Sequence, residues 1–216
     1  MSDCNCTLLS TAYLPPIDYF RVMSTSGRWL LERHENYQKQ SYRNRCHIYS
    51  ASGLLKLHIP VLRSGEKGKQ PITDVKIDYS TEWQKRHWRA ICSAYKSSPF
   101  FDYYQDDLYP FFSQRVEKLF DFNLELLQVL LNLLGLPPKI GFTAEYAGRE
   151  ESLENASLYD FRNIIHPKKA SPLSRRKNGR YHQVFAHKYG FIDNLSVIDL
   201  LFNQGPEAIL YLESES

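Results

Sequence analysis

Few stretches leave a chain as little conformational choice as GFIDNLSVIDLLFNQGPE, residues 190–207. Asp193 or Asn194 can cap a first helical turn by accepting backbone N–H bonds, and Gly205 can take the left-handed position that stops the helix. Pro206 then suits the first turn of a following helix. Between these signals Leu195, Val197, Ile198, Leu200, Leu201 and Phe202 wrap nearly the whole circumference. Ser196, Asp199 and Asn203 fall three and four residues apart on one stripe. A buried helix with a single polar stripe must aim it either at solvent or into a ligand pocket, where polar groups are few and deliberately placed.

Strand signals come early in the chain and helix signals late. Thr7–Tyr13 reads as a first strand ending at Pro15-Pro16, with Ile17–Met23 as a short helix after it. Cys46–Tyr49 and Leu54–Val61 flank the turn Ser50-Ala51-Ser52-Gly53, and Leu55, Leu57 and Ile59 alternate with Lys56 and His58 as a half-buried hairpin strand requires. Arg63–Pro71 is a polar loop. A helix capped by Ser80 or Thr81 runs to about Lys96, with Trp83, His87, Ile91 and Ala94 on one stripe. His87 therefore points inward, as a packed core histidine or as a site histidine able to exchange a proton. A second helix, Gln114–Leu134, ends at Gly135 and Pro137-Pro138 and places Asn123 on its apolar face, where it needs a buried partner. The class expected is α/β, a mixed sheet built mainly from the N-terminal half and packed by helices from the C-terminal half, as one domain over residues 1–216.

At 216 residues and 43% hydrophobic content the chain can bury one sizeable core. A net charge of +3 is too mild to point to nucleic acid, yet it leaves room for an anionic small molecule. The longest apolar segment, Leu124–Leu136, is interrupted by Glu125, Gln128 and Asn132 and is too short to span a bilayer, so no membrane insertion is expected. Cys4, Cys6, Cys46 and Cys92 show no C-x-x-C pair, and no secretory leader is legible, which makes a reduced cytoplasmic protein the default. The scattered histidines lack metal-ligand spacing, so neither a metal nor another cofactor is expected. Nothing in the sequence sets the oligomeric state.

Two basic constellations stand out. In Tyr37-Gln38-Lys39-Gln40-Ser41-Tyr42-Arg43-Asn44-Arg45, cations, amides and rings alternate between two strands, either as an anion-binding element or as a solvated strand-edge loop. In Lys168–Arg180, six cations in thirteen residues without an acid make an exposed loop, or one that closes over a phosphorylated substrate. No nucleophile elbow, P-loop, dinucleotide fingerprint or zincin motif is present.

The ordered set Tyr13-Leu14-Pro15 with Asp18-Tyr19-Phe20, Gln38 with Arg43-Asn44-Arg45, Leu57-His58-Ile59-Pro60-Val61, and Trp83-x-x-x-His87-Trp88 before Tyr95 and Pro99 resembles the WbqC-like protein family of bacteria. The closing Gly190-Phe191, Asn194-Leu195-Ser196, Asp199-Leu200-Leu201-Phe202-Asn203 and Gly205-Pro206-Glu207 agree, so the likeness spans almost the whole chain. The family usually carries Gln-Pro before the first aromatic motif and Gly before the Tyr-Phe pair, where this chain has Thr11-Ala12 and Asp18. The resemblance implies a part in O-antigen or other surface polysaccharide biosynthesis, with glycyl or other aminoacyl transfer to the amine of a nucleotide-activated amino sugar. On that reading Lys39, Arg43 and Arg45 hold the diphosphate, and Tyr37 or Tyr42 stacks on the base. His87 is the general base, Asp199 orients a histidine or holds an ammonium, and Asn203 donates to a carbonyl. Tyr13, Tyr19, Gln38, Asn44 and Ser196, drawn from the same motifs, complete the substrate-binding set. The opening strand, proline-rich turn and aromatic helix also resemble the nucleotide entry of adenylyl-transferring folds, without their His and Gly signature. A non-catalytic protein that binds a sugar nucleotide or a protein partner is the alternative from another class.

Overall fold

The computed structural model describes residues 6–62, 69–137, 139–148, 158–170 and 180–213. Cys4, residues 63–68 of the polar loop and residues 171–179 of the second basic stretch lie outside them. In chain order the elements are β1 (Cys6–Ser10), α1 (Ile17–Thr25), β2 (Arg28–Glu32), β3 (Arg45–Ser50), β4 (Gly53–His58), α2 (Trp83–Tyr95) and α3 (Phe101–Leu108). They continue with α4 (Pro110–Ser113), α5 (Leu119–Leu133), β5 (Gly141–Phe142), β6 (Leu158–Asp160), α6 (Ala186–Tyr189), α7 (Val197–Gln204) and α8 (Ala208–Glu213).

Four strands form one sheet in the order β5-β2-β1-β6. Every neighbouring pair is parallel, with Leu8 opposite Leu30 and Leu9 opposite Leu31. Parallel strands are covered on both faces and read as continuous apolar runs, and β1 is buried along its whole length. Side chains alternate between two cores: Leu9 and Leu31 join the main one, while Cys6, Leu8 and Leu30 pack with Ala147 on the other face. The α/β class therefore holds, with the helices mostly in the second half of the chain. Among the described strands the antiparallel pair is a separate β3–β4 hairpin, with isolated antiparallel bridges elsewhere.

Leu14, with φ of 40°, turns the chain between β1 and α1, a conformation that costs a branched L-residue energy and is tolerated where the surroundings over-determine it. Asn194 does not cap α7. Ser196 occupies that position without a side-chain bond, while Asn194 Oδ1 accepts the Asp18 N–H at 3.0 Å and the Leu195 carbonyl accepts the Ile17 N–H at 2.9 Å. The last third of the chain thus closes the N-terminus of α1. Likewise α2 is preceded by Glu82 with no side-chain cap rather than by Ser80 or Thr81. The expected Gln114–Leu134 helix begins only at Leu119, because Lys118 is still extended and bridges Lys76. Asn123 finds its partner in the Arg43 carbonyl, 2.8 Å from Nδ2.

Candidate functional site

From β1 the chain steps outward to β2 and β5, then returns to place β6 on the opposite side of β1. The chain leaves β1 away from β6, so the strand order reverses at β1, and an open parallel sheet binds ligands in the crevice at the carboxyl ends of its strands at such a reversal. Here that crevice is narrow, about 10 Å³, and is lined by Ser10, Thr11, Tyr19, Tyr42, Arg43 and Arg162 among others. A cavity of about 580 Å³ lies at the opposite, amino-terminal rim, between Arg28, Trp29, Lys139 and Gly141, and holds none of the expected site residues.

Two buried ion clusters frame the crevice. Arg43, three residues past the Tyr37–Gln40 turn, donates Nε to Glu35 Oε1 at 2.9 Å and Nη2 to Ser10 Oγ at 2.7 Å, and a second Nη2 bond reaches Glu35 Oε2. Ser10 Oγ in turn donates to Glu35 Oε2 at 3.0 Å. Burial pushes the Glu35 carboxyl up, against the pull of Arg43, Ser10 and Arg162. Gln38 Oε1 accepts from Arg43 Nη1 at 3.4 Å, and Tyr19 donates its hydroxyl to the Ser10 carbonyl at 2.8 Å. Across the crevice, Arg162 binds Glu32 Oε2 through Nη1 at 2.9 Å and grips both Asp160 oxygens through Nε and Nη2. Glu32 also accepts from Thr143 Oγ1 and the Ala147 N–H, at 2.7 and 2.9 Å. One cation thus ties together the ends of β2 and β6 and the loop after β5.

Of the residues expected at the site, Tyr19, Gln38, Tyr42 and Arg43 meet here. The others fall into separate clusters. Tyr13 Oη lies 2.9 Å from His87 Nδ1, and His87 Nε2 accepts the His58 N–H at 3.3 Å. With Nε2 accepting, the neutral ring carries its proton on Nδ1 and donates it to Tyr13. Burial, reinforced by His58 and Arg86, holds His87 down at about 4, so it is a neutral packed histidine with both nitrogens engaged and offers no lone pair to a substrate amine.

The polar stripe of α7 reaches neither solvent nor a ligand crevice. Asp199 is fully buried and accepts from Tyr95 Oη at 2.8 Å, from Tyr181 Oη, and from Gln183 Nε2 at 3.1 Å. Burial raises its carboxyl to about 6 against those three bonds. Asn203 Nδ2 bonds the Asp199 carbonyl at 2.7 Å, and Ser196 Oγ is buried without a partner. These residues join α2, α7 and the Tyr181–Gln183 segment, an architectural task.

In the first basic motif the three adjacent side chains diverge. Asn44 Nδ2 bonds the Ile59 carbonyl at 2.8 Å, Lys39 is exposed, and Arg45 opens β3 with its Nε enclosed but unpartnered. Among the described residues no group of histidine, cysteine and carboxylate side chains has the geometry to hold a metal ion.

Ser10, Glu32, Glu35, Asp160 and Arg162 are functional candidates that sequence reasoning missed. The local signal was faint. Ser10 and Glu32 end the two central parallel strands, where an α/β reading would seek site residues, but the strands at 28–32 and 158–160 had first to be recognised.

The fold and rim define a parallel α/β protein with a polar crevice at its topological switch point. A model of the WbqC-like protein family matches residues 11–211, and the chain belongs to that family. It is 27% identical over 226 residues to the uncharacterized protein Rv1507c of Mycobacterium tuberculosis (strain ATCC 25618 / H37Rv), covering 95% of this chain and 96% of that protein. No solved structure matches. No helix among the described residues is long and apolar enough to cross a membrane.

Proposed function

We propose that this protein acts in bacterial surface polysaccharide (O-antigen) biosynthesis, binding a nucleotide-activated amino sugar at the carboxyl rim of its parallel sheet and passing a glycyl or other aminoacyl group to the sugar amine. The observation that carries this reading is the β5-β2-β1-β6 order, which opens a crevice between β1 and β6 where Ser10, Thr11, Arg43 and Arg162 gather. In the transfer the amine attacks the carbonyl carbon of an activated aminoacyl ester. The C–N bond forms, the ester C–O bond breaks with its electron pair passing to the leaving oxygen, and the proton that the amine sheds is returned to that oxygen, so that an amide and an alcohol result. Glu35 is better placed than His87 to take that proton in between: it passes to Ser10 Oγ, whose own proton moves along the existing bond to Glu35 Oε2. Burial favours the protonated carboxyl that results.

A thermal-shift screen against UDP-, dTDP- and GDP-linked amino sugars tests the binding step, because a ligand of the folded state raises the melting temperature by mass action. Expected are a shift with at least one of them and, in Ser10→Ala, retained binding with slowed aminoacyl transfer. No shift with any sugar nucleotide in the folded protein sinks the proposal; binding without product on incubation with activated glycine replaces it with a non-catalytic sensor.

The same strand order favours a second reading, formation of an aminoacyl adenylate. Against it, the α1 N-terminus, where a phosphate would sit, is already closed by Asn194 and Leu195. Glycine-dependent exchange of pyrophosphate into ATP separates the two.

A further inference from the structure

The hairpin carries a cationic face that the rim network leaves unused. Directly opposed residues of an antiparallel ladder share a face. Arg45 opposes His58 and His47 opposes Lys56, while the alternate residues Cys46, Ile48 and Leu57 enter the main core. One face therefore carries an arginine, a lysine and two histidines in adjoining pairs, with no carboxylate among them; Lys56 and His58 are exposed, Arg45 is half-buried and His47 is buried. Near neutral pH the standing charge of this face is that of Arg45 and Lys56, because both histidines are held below their ordinary value. Arg43 and Arg162 are each clasped by carboxylates, but no ion pair among the described residues includes Arg45. Its Nε is buried without a hydrogen-bond partner, and a guanidinium donor left unmatched away from water is expensive unless a ligand completes it.

The surroundings agree. Burial, Lys56 and Arg45 together hold His47 below its ordinary value, and burial with Arg45 does the same to His58, as expected where positive charge is uncompensated. Half-buried Tyr37 stands in the field of Arg45, and the Tyr42 ring meets His47 edge-on at 5.6 Å. Behind Tyr42, Asp18 is held by Arg21 at 3.4 Å.

We infer that the face of the β3–β4 hairpin carrying Arg45 is a phosphate-binding subsite, with Arg45 and His58 as anchors, exposed Lys56 flanking and buried His47 behind them, that takes the phosphate or diphosphate of an anionic ligand. Arg43, the neighbouring arginine, is excluded from this work by Glu35. The assignment of that phosphate to a sugar nucleotide rests on the function proposed above; the anion site itself does not.

Calorimetric titration of the full chain with inorganic pyrophosphate, repeated with inorganic phosphate, tests the subsite. Binding by the wild type is expected to weaken about tenfold or more in Arg45→Gln and severalfold in His58→Gln, and to stay unchanged in Lys139→Gln on the far rim. Neither hairpin variant should unfold below the wild-type midpoint; if Arg45→Gln does, the exposed His58→Gln decides. No pyrophosphate binding by the wild type, equal binding by both hairpin variants, or equal weakening in Lys139→Gln overturns the assignment. A UDP-amino sugar bound equally by wild type and Arg45→Gln removes the subsite and spares the proposed function. Pyrophosphate held through Arg45 without any sugar nucleotide does the reverse.

Discussion

Replacing Asp199 by Asn should uncover a pH dependence of stability that the native protein conceals. Asp199 titrates at about 6 in the fold against an ordinary 3.8. The folded state therefore holds that proton more tightly, and the stability it confers is complete below pH 3.8 and lost as pH rises through 6. At about 1.4 kcal/mol per pH unit of separation, ionised Asp199 costs about 3 kcal/mol. His87 runs the other way, at about 4 against 6.5: its stability is complete above pH 6.5 and lost as pH falls through 4, also by about 3 kcal/mol. Between pH 4 and 6 the two slopes oppose and nearly cancel. Asp199→Asn keeps the shape of the side chain, cannot ionise and leaves the His87 slope exposed, so the variant should gain on wild type by about 3 kcal/mol between pH 4 and 6, or roughly 6–12 °C in melting temperature for a chain of this size. His87→Gln should show the mirror image. Urea unfolding at half-unit steps from pH 4 to 7 gives the wild-type-minus-variant difference, in which other carboxylates drop out. A difference for Asp199→Asn that stays flat from pH 4 to 6 would refute the reasoning, whatever the absolute stability of the variant.

Glu35→Gln leaves the Arg43 guanidinium buried without its counter-charge, and should lower the urea unfolding free energy by about 3–5 kcal/mol; a loss under about 1 kcal/mol would mean that Gln38 and Ser10 suffice. Gly205→Ala forces φ of +56° on an L-residue and brings Cβ within 2.5 Å of the Phe100 ring, so a melting-temperature loss corresponding to at least about 1–3 kcal/mol is expected, against none if Phe100 simply swings aside.

Much of the helical half was legible because its signals are local. Gly205 stops α7 since the position demands a positive φ, and the hairpin turn at Ser50–Gly53 follows from residue types within a few positions. The parallel sheet was not legible in the same way. β5 and β6 have two and three residues, too few to show a period, and Arg28–Glu32, though preceded by Ser26-Gly27, is followed by the polar Arg33, His34 and Glu35 and shows no alternation of apolar and polar residues. Of the side chains gathered at the crevice, Arg43 stands out in the sequence by its charge, but Ser10 and Glu35 are ordinary side chains joined by a distance that no local pattern encodes. The α7 stripe was located correctly while both destinations considered for it, solvent and pocket, omitted buried tyrosine hydroxyls. Asn194 looked like the cap of the helix that follows it because capping rules describe chain neighbours, and here the helix it serves lies 176 residues upstream.

That closure sets a clock on biosynthesis. At 5–20 residues per second, roughly 9–35 s separate the synthesis of α1 from that of the residue that completes it. β1 waits comparably for β6, and a lone parallel pair with an open edge is a template for association with other chains. The nascent protein must therefore pass this interval unfinished, and any C-terminal truncation before residue 194 makes the interval permanent.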